Sequence, residues 1–122
     1  MEGNISSDLL MEIYSRVEKK FGTIPFKLRG IKITHKLIKV SVEILNNEVN
    51  KMLPQNSRNL CVNQMPDGLD KKIKEALNSN LRTANIISDV LKDAEIVEVI
   101  KIVNPKTGRN IKATRLLEKW SW

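Results

Sequence analysis

The sequence predicts a small α+β protein, on the basis of three observations. Apolar residues recur at three- and four-residue steps through several segments of the first 92 residues, which is the spacing of amphipathic helices. From Glu95 onward the chain is rich in Val and Ile, which favours strands. Residues 104–109 hold Pro105 and Gly108 and therefore predict the turn of a hairpin.

Composition places the chain among basic globular proteins. It has 122 residues, of which 41% are hydrophobic and 29% are charged. A chain of this length buries roughly two-thirds of its surface on folding. Lys and Arg number 21 against 14 Asp and Glu, so the net charge is +7. A surplus of this kind favours a polyanionic partner, with nucleic acid ahead of an anionic membrane surface.

The same composition argues against several classes of protein. Because Cys61 is the single cysteine and His35 the single histidine, the sequence offers neither a disulfide framework nor the ligands of a zinc site. Apolar runs are too short for a membrane span, and the first residues lack the layout of a secretory signal. We therefore expect a cytoplasmic protein, nucleoid-associated if it binds DNA, with no membrane association, no metal and no cofactor.

The first predicted element is a helix over residues 7–21. Ser6 and Ser7 are suitable N-caps, and Gly22 is a natural stop. One apolar stripe follows the helical spacing and consists of Leu10, Ile13, Tyr14, Val17 and Phe21.

A connector and a second helix come next. Residues 23–33 contain Pro25 and predict an extended connector or a short strand. Residues 34–53 carry two patterns, a strand-like alternation over about seven residues and a helical arc over about twenty. The longer pattern predicts a helix that Thr34 caps and Pro54 ends.

Two shorter helices follow, separated by a break. After the second helix the chain is loop-like, apart from Leu60 and Val62, which predict a short strand. Helical spacing resumes over residues 69–77 and again over residues 81–92, and the polar residues 78–80 interrupt it.

From residue 34 the predicted order is helix, short strand, helix, break, helix and, over residues 95–117, a β-hairpin with a basic tip. This order resembles the winged helix-turn-helix family, with residues 72–78 and 81–92 as its paired helices and the hairpin as its wing. The resemblance implies a winged helix-turn-helix with a C-terminal β-hairpin wing and an N-terminal helical extension. It divides the chain into an N-terminal helix and basic connector, residues 1–33, and a winged helix-turn-helix domain, residues 34–122.

In this family the second helix of the pair is a recognition helix, which lies in the major groove of double-stranded DNA. Asn and Arg side chains suit adenine and guanine edges there. The resemblance assigns DNA contacts on this helix to Asn80, Arg82, Thr83, Asn85, Ser88 and Lys92. Asp89 and Asp93 balance Arg82 and Lys92, so the helix is electrically neutral, which is unusual in a strong DNA reader.

Two further basic segments complete the predicted interface. In the wing, contacts to phosphates or to the minor groove are expected from Lys106, Thr107, Arg109 and Lys112. Residues 25–36 offer a basic arm made of Lys27, Arg29, Lys32 and Lys36, for which the alternative is a solvated surface loop. Backbone contacts of this kind position a protein on DNA without reading its sequence.

The apolar stripe of the first helix has two alternative roles. It covers the protein's own core, or it packs on a second copy through Leu10, Ile13, Val17 and Phe21. A homodimer would present two recognition helices to a pseudo-palindromic site.

The functional prediction is sequence-specific binding of double-stranded DNA by a small transcriptional regulator. The alternative is a winged-helix adaptor in a polymerase, replication or ribosome-associated complex, with little or no sequence specificity. Catalysis is not expected, because the sequence shows no phosphate-cradling glycine loop and no nucleophile–histidine pair. A metal-dependent nuclease needs only carboxylates, such as Asp89, Asp93 and Glu95, but the simplest role of these three is surface charge.

Overall fold

The computed structural model describes residues 5–47, 53–54, 69–79, 83–103, 108 and 110–120. These residues form a mixed α+β protein. Its helices are α1 (Ser7–Phe21), α2 (His35–Asn47), α3 (Leu69–Leu77) and α4 (Ala84–Asp93), followed by a 3₁₀ turn (Glu118–Trp120). Its strands are β1 (Phe26–Leu28), β2 (Ile31–Ile33), β3 (Leu53–Pro54), β4 (Val97–Val103) and β5 (Asn110–Leu116).

Helix α1 has the bounds that its sequence predicts. The Ser6 side chain accepts a hydrogen bond from the backbone N–H of Leu9 at 3.3 Å, which is an N-cap contact. Gly22 ends the helix with a φ of 101°, a conformation that residues with a Cβ rarely adopt. The predicted first helix is therefore confirmed.

Residues 23–33, predicted as an extended connector or a short strand, contain a small hairpin. Strands β1 and β2 pair antiparallel, and Leu28 lies opposite Ile31, so only Arg29 and Gly30 form the turn. Both have positive φ, 51° and 82°, which is the pattern of a type I′ turn. The connector is thus an ordered element that holds its basic side chains at fixed places.

The helical interpretation of residues 34–53 is confirmed in α2, and the competing strand pattern is wrong. Thr34 caps the helix as predicted, because its Oγ1 accepts a hydrogen bond from the N–H of Leu37 at 3.1 Å. Ile38 and Val42 face inward with no exposed surface. The described helix ends at Asn47, whereas Leu53, predicted within the helix, and Pro54, predicted as its end, lie in β3.

The predicted C-terminal hairpin is confirmed as β4 and β5. Its register runs from Val97 opposite Leu116 to Val103 opposite Asn110. Strand β3 pairs with the other edge of β5, so the strand order is β3–β5–β4. The hairpin is therefore hydrogen-bonded, through β5, to the segment between α2 and α3. The short strand predicted at Leu60 and Val62 lies outside the described residues, as does Cys61.

A single hydrophobic core joins the helices to the base of this sheet. Buried side chains of α1, α2, α4 and β4 belong to one cluster, represented by Val17, Val42, Leu91 and Val97. The core thus extends across the domain boundary that the sequence suggested at residue 33.

The stripe on α1 packs within this core. Ile13 and Val17 have no exposed surface, while Leu10 and Phe21 are half-buried against the same cluster. Phe21 also stacks on Phe26 of β1 with ring centroids 5.3 Å apart. Of the two roles predicted for the stripe, the structure shows the intramolecular one. Ile13 and Val17 therefore offer no surface to a second copy, and the homodimer predicted through this helix stays a prediction.

Trp120 packs the C-terminal end of the described chain against the core. It is 1% exposed, and its indole Nε1–H donates to the backbone oxygen of Glu95 at 3.1 Å. The side chains of Arg16 and Lys119 lie over its ring, at 5.2 and 5.4 Å from the centroid. The indole therefore joins the end of the sheet to α1.

Helices long and apolar enough to cross a bilayer do not occur among the described residues.

Candidate nucleic-acid interface

Helix α4, the predicted recognition helix, packs most of its surface on the rest of the protein. Ala84, Ile87, Val90 and Leu91 face the core. Of the polar side chains predicted to contact DNA, Asn85 and Lys92 are exposed. They stand seven residues apart, which is about two helical turns, so they share one face.

Two of the predicted contacts are buried, which is a correction to the sequence analysis. Ser88 has no exposed surface, and its hydroxyl is hydrogen-bonded to the Thr114 hydroxyl of β5 at 2.8 Å. Thr83 precedes the helix and is 7% exposed. Neither side chain reaches the surface needed for a base contact. Asn80 and Arg82 lie outside the described residues.

Between Asn85 and Lys92, the same face of α4 carries Asp89, which contacts Arg29 of the first hairpin. Arg29 Nη2 donates to Asp89 Oδ2 at 2.7 Å, joining residues that are 60 positions apart in the sequence. The Arg29 side chain is 59% exposed and that of Asp89 is 32% exposed, so solvent screens the pair. The tip of the predicted basic arm is therefore docked on α4.

The remaining basic residues of the arm are exposed. Lys27 and Lys32 lie directly opposite each other on β1 and β2, and Lys36 lies in the first turn of α2. Like charges in directly opposed positions destabilise a pair of strands. The hairpin thus concentrates positive charge without a neutralising residue at the opposing position.

The C-terminal hairpin repeats this arrangement near its tip. Near the base, Glu98 lies opposite Arg115, and the two form an ion pair at 2.6 Å. Three residues further along, Lys101 lies opposite Lys112, and both are exposed. The charge is balanced at the base and unbalanced toward the tip. Lys106, Thr107 and Arg109, the other predicted wing contacts, lie outside the described residues.

The opposed lysine pairs were not predicted from the sequence. Once the two hairpins are recognised, counting outward from each turn places Lys27 against Lys32 and Lys101 against Lys112. The sequence therefore contains the information that opposes these lysines, but the information can be used only when the registers of the strands are known. The Arg29–Asp89 contact has no comparable local signal.

The described residues offer no metal centre. Within them no three His, Cys, Asp or Glu side chains group together closely enough to hold a metal ion. Asp89, the first of the three carboxylates considered for a nuclease, is engaged with Arg29.

Comparison with protein-family models, curated proteins and solved structures finds no match to this chain.

Proposed function

We propose that this chain is a winged helix-turn-helix protein that binds double-stranded DNA through the β4–β5 hairpin and the outward face of α4. The order helix, strand, helix, helix, hairpin from α2 onward is the order on which the family resemblance rests, with β3 at Leu53–Pro54 in place of the strand predicted at Leu60 and Val62. The pairing of β3 with β5 supports the proposal, because it anchors the hairpin beside the helices as a wing requires.

The opposed pair Lys101 and Lys112 carries the proposal. Two ammonium groups facing each other across a ladder weaken the hairpin by roughly 0.2–1 kcal/mol. A phosphate backbone that lies along the hairpin would remove this repulsion and gain two charge-assisted contacts. The Glu98–Arg115 ion pair shows that the same ladder carries a neutralised pair three residues nearer its base.

Helix α4 supplies the candidate base contact. Asn85 is exposed in its first turn, and an Asn amide pairs bidentately with an adenine edge. Lys92 is exposed near the other end of the helix and suits a phosphate. The predicted contacts Thr83 and Ser88 are left out of this interface because they are buried.

The test is fluorescence anisotropy of the full chain against a random duplex over a range of salt concentrations. Micromolar binding that weakens as salt rises is expected. In K101Q/K112Q the slope of log affinity against log salt should become shallower by about 1.8, because each lost phosphate contact reduces it by about 0.9. The charge-matched control is K19Q/K20Q, which removes two exposed lysines from α1 and should leave the slope unchanged.

Sequence specificity is tested separately with Asn85→Ala. Selection from a randomised duplex pool should yield a preferred site for the native protein and a relaxed preference for the variant, by about 1–3 kcal/mol at one base pair. Absence of binding at low salt would refute the DNA proposal. Equal slopes for the two double-lysine variants would refute the assignment to this hairpin.

One observation favours the adaptor as a second candidate. Ile100 and Val103 of β4 are 37% and 60% exposed, and β4 is an edge strand of the described sheet. Exposed apolar side chains beside an unpaired strand edge suit a protein partner. An adaptor should show neither a shallower salt slope in K101Q/K112Q nor a loss of sequence preference in Asn85→Ala, and Val103→Lys should abolish capture of its partner in a pull-down.

A further inference from the structure

A pocket of about 260 Å³ lies between the first hairpin and the helices α2 and α3, beside the start of α4. Its apolar surface comes from Ile31, Leu37, Ile73 and Leu77. The volume is slightly below the range of roughly 300–1,000 Å³ that is typical of drug-sized ligands. The pocket therefore suits a small molecule with a compact apolar body.

Among the described residues that line this pocket, every charged one is basic. Lys27, Lys32 and Lys74 line it, and none of the described lining residues is acidic. Lys27 and Lys32 are the directly opposed pair of the first hairpin, so their repulsion is relieved by an anion placed between them. Charge complementarity thus specifies a negatively charged group on the ligand.

Thr83 adds a buried hydroxyl at the same place. It lines the pocket and is 7% exposed, and its Oγ1 finds no hydrogen-bond partner within the described structure. Thr83 occupies the N-cap position of α4, yet its side chain makes no capping hydrogen bond. A buried hydroxyl without a partner is rare in native proteins, and this one can pair with a polar group of a molecule that enters the pocket. Nearby, the first turn of α4 adds the positive end of the helix dipole.

We propose that this pocket binds a small organic carboxylate, with its apolar body between the hairpin and α3 and its carboxylate held by Lys27, Lys32 and Thr83. Binding at this pocket does not depend on the DNA-binding proposal, because the two use different lysine pairs. Failure of either proposal therefore leaves the other standing.

The experiment is a titration of the ¹⁵N-labelled full chain with benzoate, followed by two-dimensional NMR. Saturable shifts should appear at the amides of Ile31, Leu37, Ile73, Leu77 and Thr83. Benzamide has the same shape without the charge and should bind about tenfold more weakly. Inorganic phosphate has the charge without the apolar body and should produce no saturable shifts at these amides.

Matched variants assign the charged contacts. K27Q/K32Q should weaken benzoate binding about tenfold, while K101Q/K112Q removes the same charge from the other hairpin and should change the affinity less than about twofold. Thr83→Val removes the hydroxyl at constant shape and should weaken binding, whereas Thr83→Ser should retain it. The amide spectrum of each variant also reports whether it is folded.

Three results would overturn the proposal. They are an absence of saturation with benzoate, equal affinity for benzoate and benzamide, and equal losses in the two double-lysine variants. If Thr83→Val does not fold, the comparison of the lysine variants decides the outcome on its own.

Discussion

Arg29 combines an unfavourable backbone conformation with a favourable side-chain contact, and substitution separates the two. Its φ of 51° lies in the left-handed region, which costs a residue with a Cβ about 1–2 kcal/mol. Its ion pair with Asp89 spans 2.7 Å, but the side chains are 59% and 32% exposed, which limits the contribution to about 0.2–1 kcal/mol. The two terms are opposite in sign, and the backbone cost is the larger.

Three variants isolate these terms. Arg29→Ala loses the ion pair and keeps the backbone cost, so stability should fall by about 0.2–1 kcal/mol. Arg29→Asn also loses the ion pair, but Asn is among the preferred residues of a type I′ turn. It should therefore be more stable than Arg29→Ala by about 1 kcal/mol. Asp89→Asn removes only the ion pair and should match the loss in Arg29→Ala.

The assay is urea unfolding followed by tryptophan fluorescence, since Trp120 is buried in the folded protein. A difference of 1 kcal/mol moves the midpoint by about 0.5 M for a slope near 2 kcal/mol/M. Equal midpoints for Arg29→Ala and Arg29→Asn would refute the argument, because they would show that the turn places no demand on the residue at position 29.

Further predictions concern single contacts in the fold. Ser88→Ala removes the buried hydroxyl pair with Thr114 and should lower the free energy of unfolding by about 1 kcal/mol; Thr114→Val added to it should cost less than the sum of the two single changes. Thr34→Ala removes the cap on the N–H of Leu37 and should cost about 1 kcal/mol, measured by the same unfolding assay. Burial, and then the negative charge of Glu43, raises the pKa of Tyr14 above its ordinary value of 10.0. Folding therefore favours the neutral phenol, so this contribution to stability is complete below pH 10 and declines as the pH rises through the folded pKa. Since Tyr14 is the single tyrosine, its absorbance at high pH should titrate later in the folded protein than in urea, and coincident curves would contradict the prediction.

The sequence could predict those helices and strands whose apolar spacing continues over many consecutive residues. Helix α1 shows a full apolar stripe between a capping Ser6 and a stopping Gly22, and its bounds are as predicted. In α2 the long helical arc outweighed a shorter alternation, and the capping contact of Thr34 agrees with it. The first hairpin was missed because each strand has three residues, and because Arg is a rare choice for a turn position with positive φ.

In the candidate DNA interface, the sequence could predict a residue correctly only where its spacing along a helix determines whether its side chain is exposed. Asn85 and Lys92 are exposed, and their separation of seven residues, about two helical turns, places them on one face of α4. Ser88 follows Asn85 by three residues and so lies near the same face of the helix, yet it is buried, and its hydroxyl is hydrogen-bonded to that of Thr114 on β5. A polar residue whose partner is 26 positions away is indistinguishable, by periodicity alone, from one that faces solvent.

The partner of Asp89 changes the electrostatic argument about α4. In the sequence its carboxylate makes the helix neutral, whereas in the fold Arg29 neutralises it and brings the cationic hairpin to the same face. If α4 contacts DNA as proposed, Asp89→Asn should lower stability through the lost ion pair and yet raise DNA affinity, about two- to threefold at low salt, because a negative charge leaves the proposed interface. Asp8→Asn, an exposed change on α1, controls for net charge alone. Opposite signs for stability and affinity at Asp89, with no gain in affinity at Asp8, would place α4 against the duplex. Equal changes in affinity for both variants would mean that DNA meets another face of the protein.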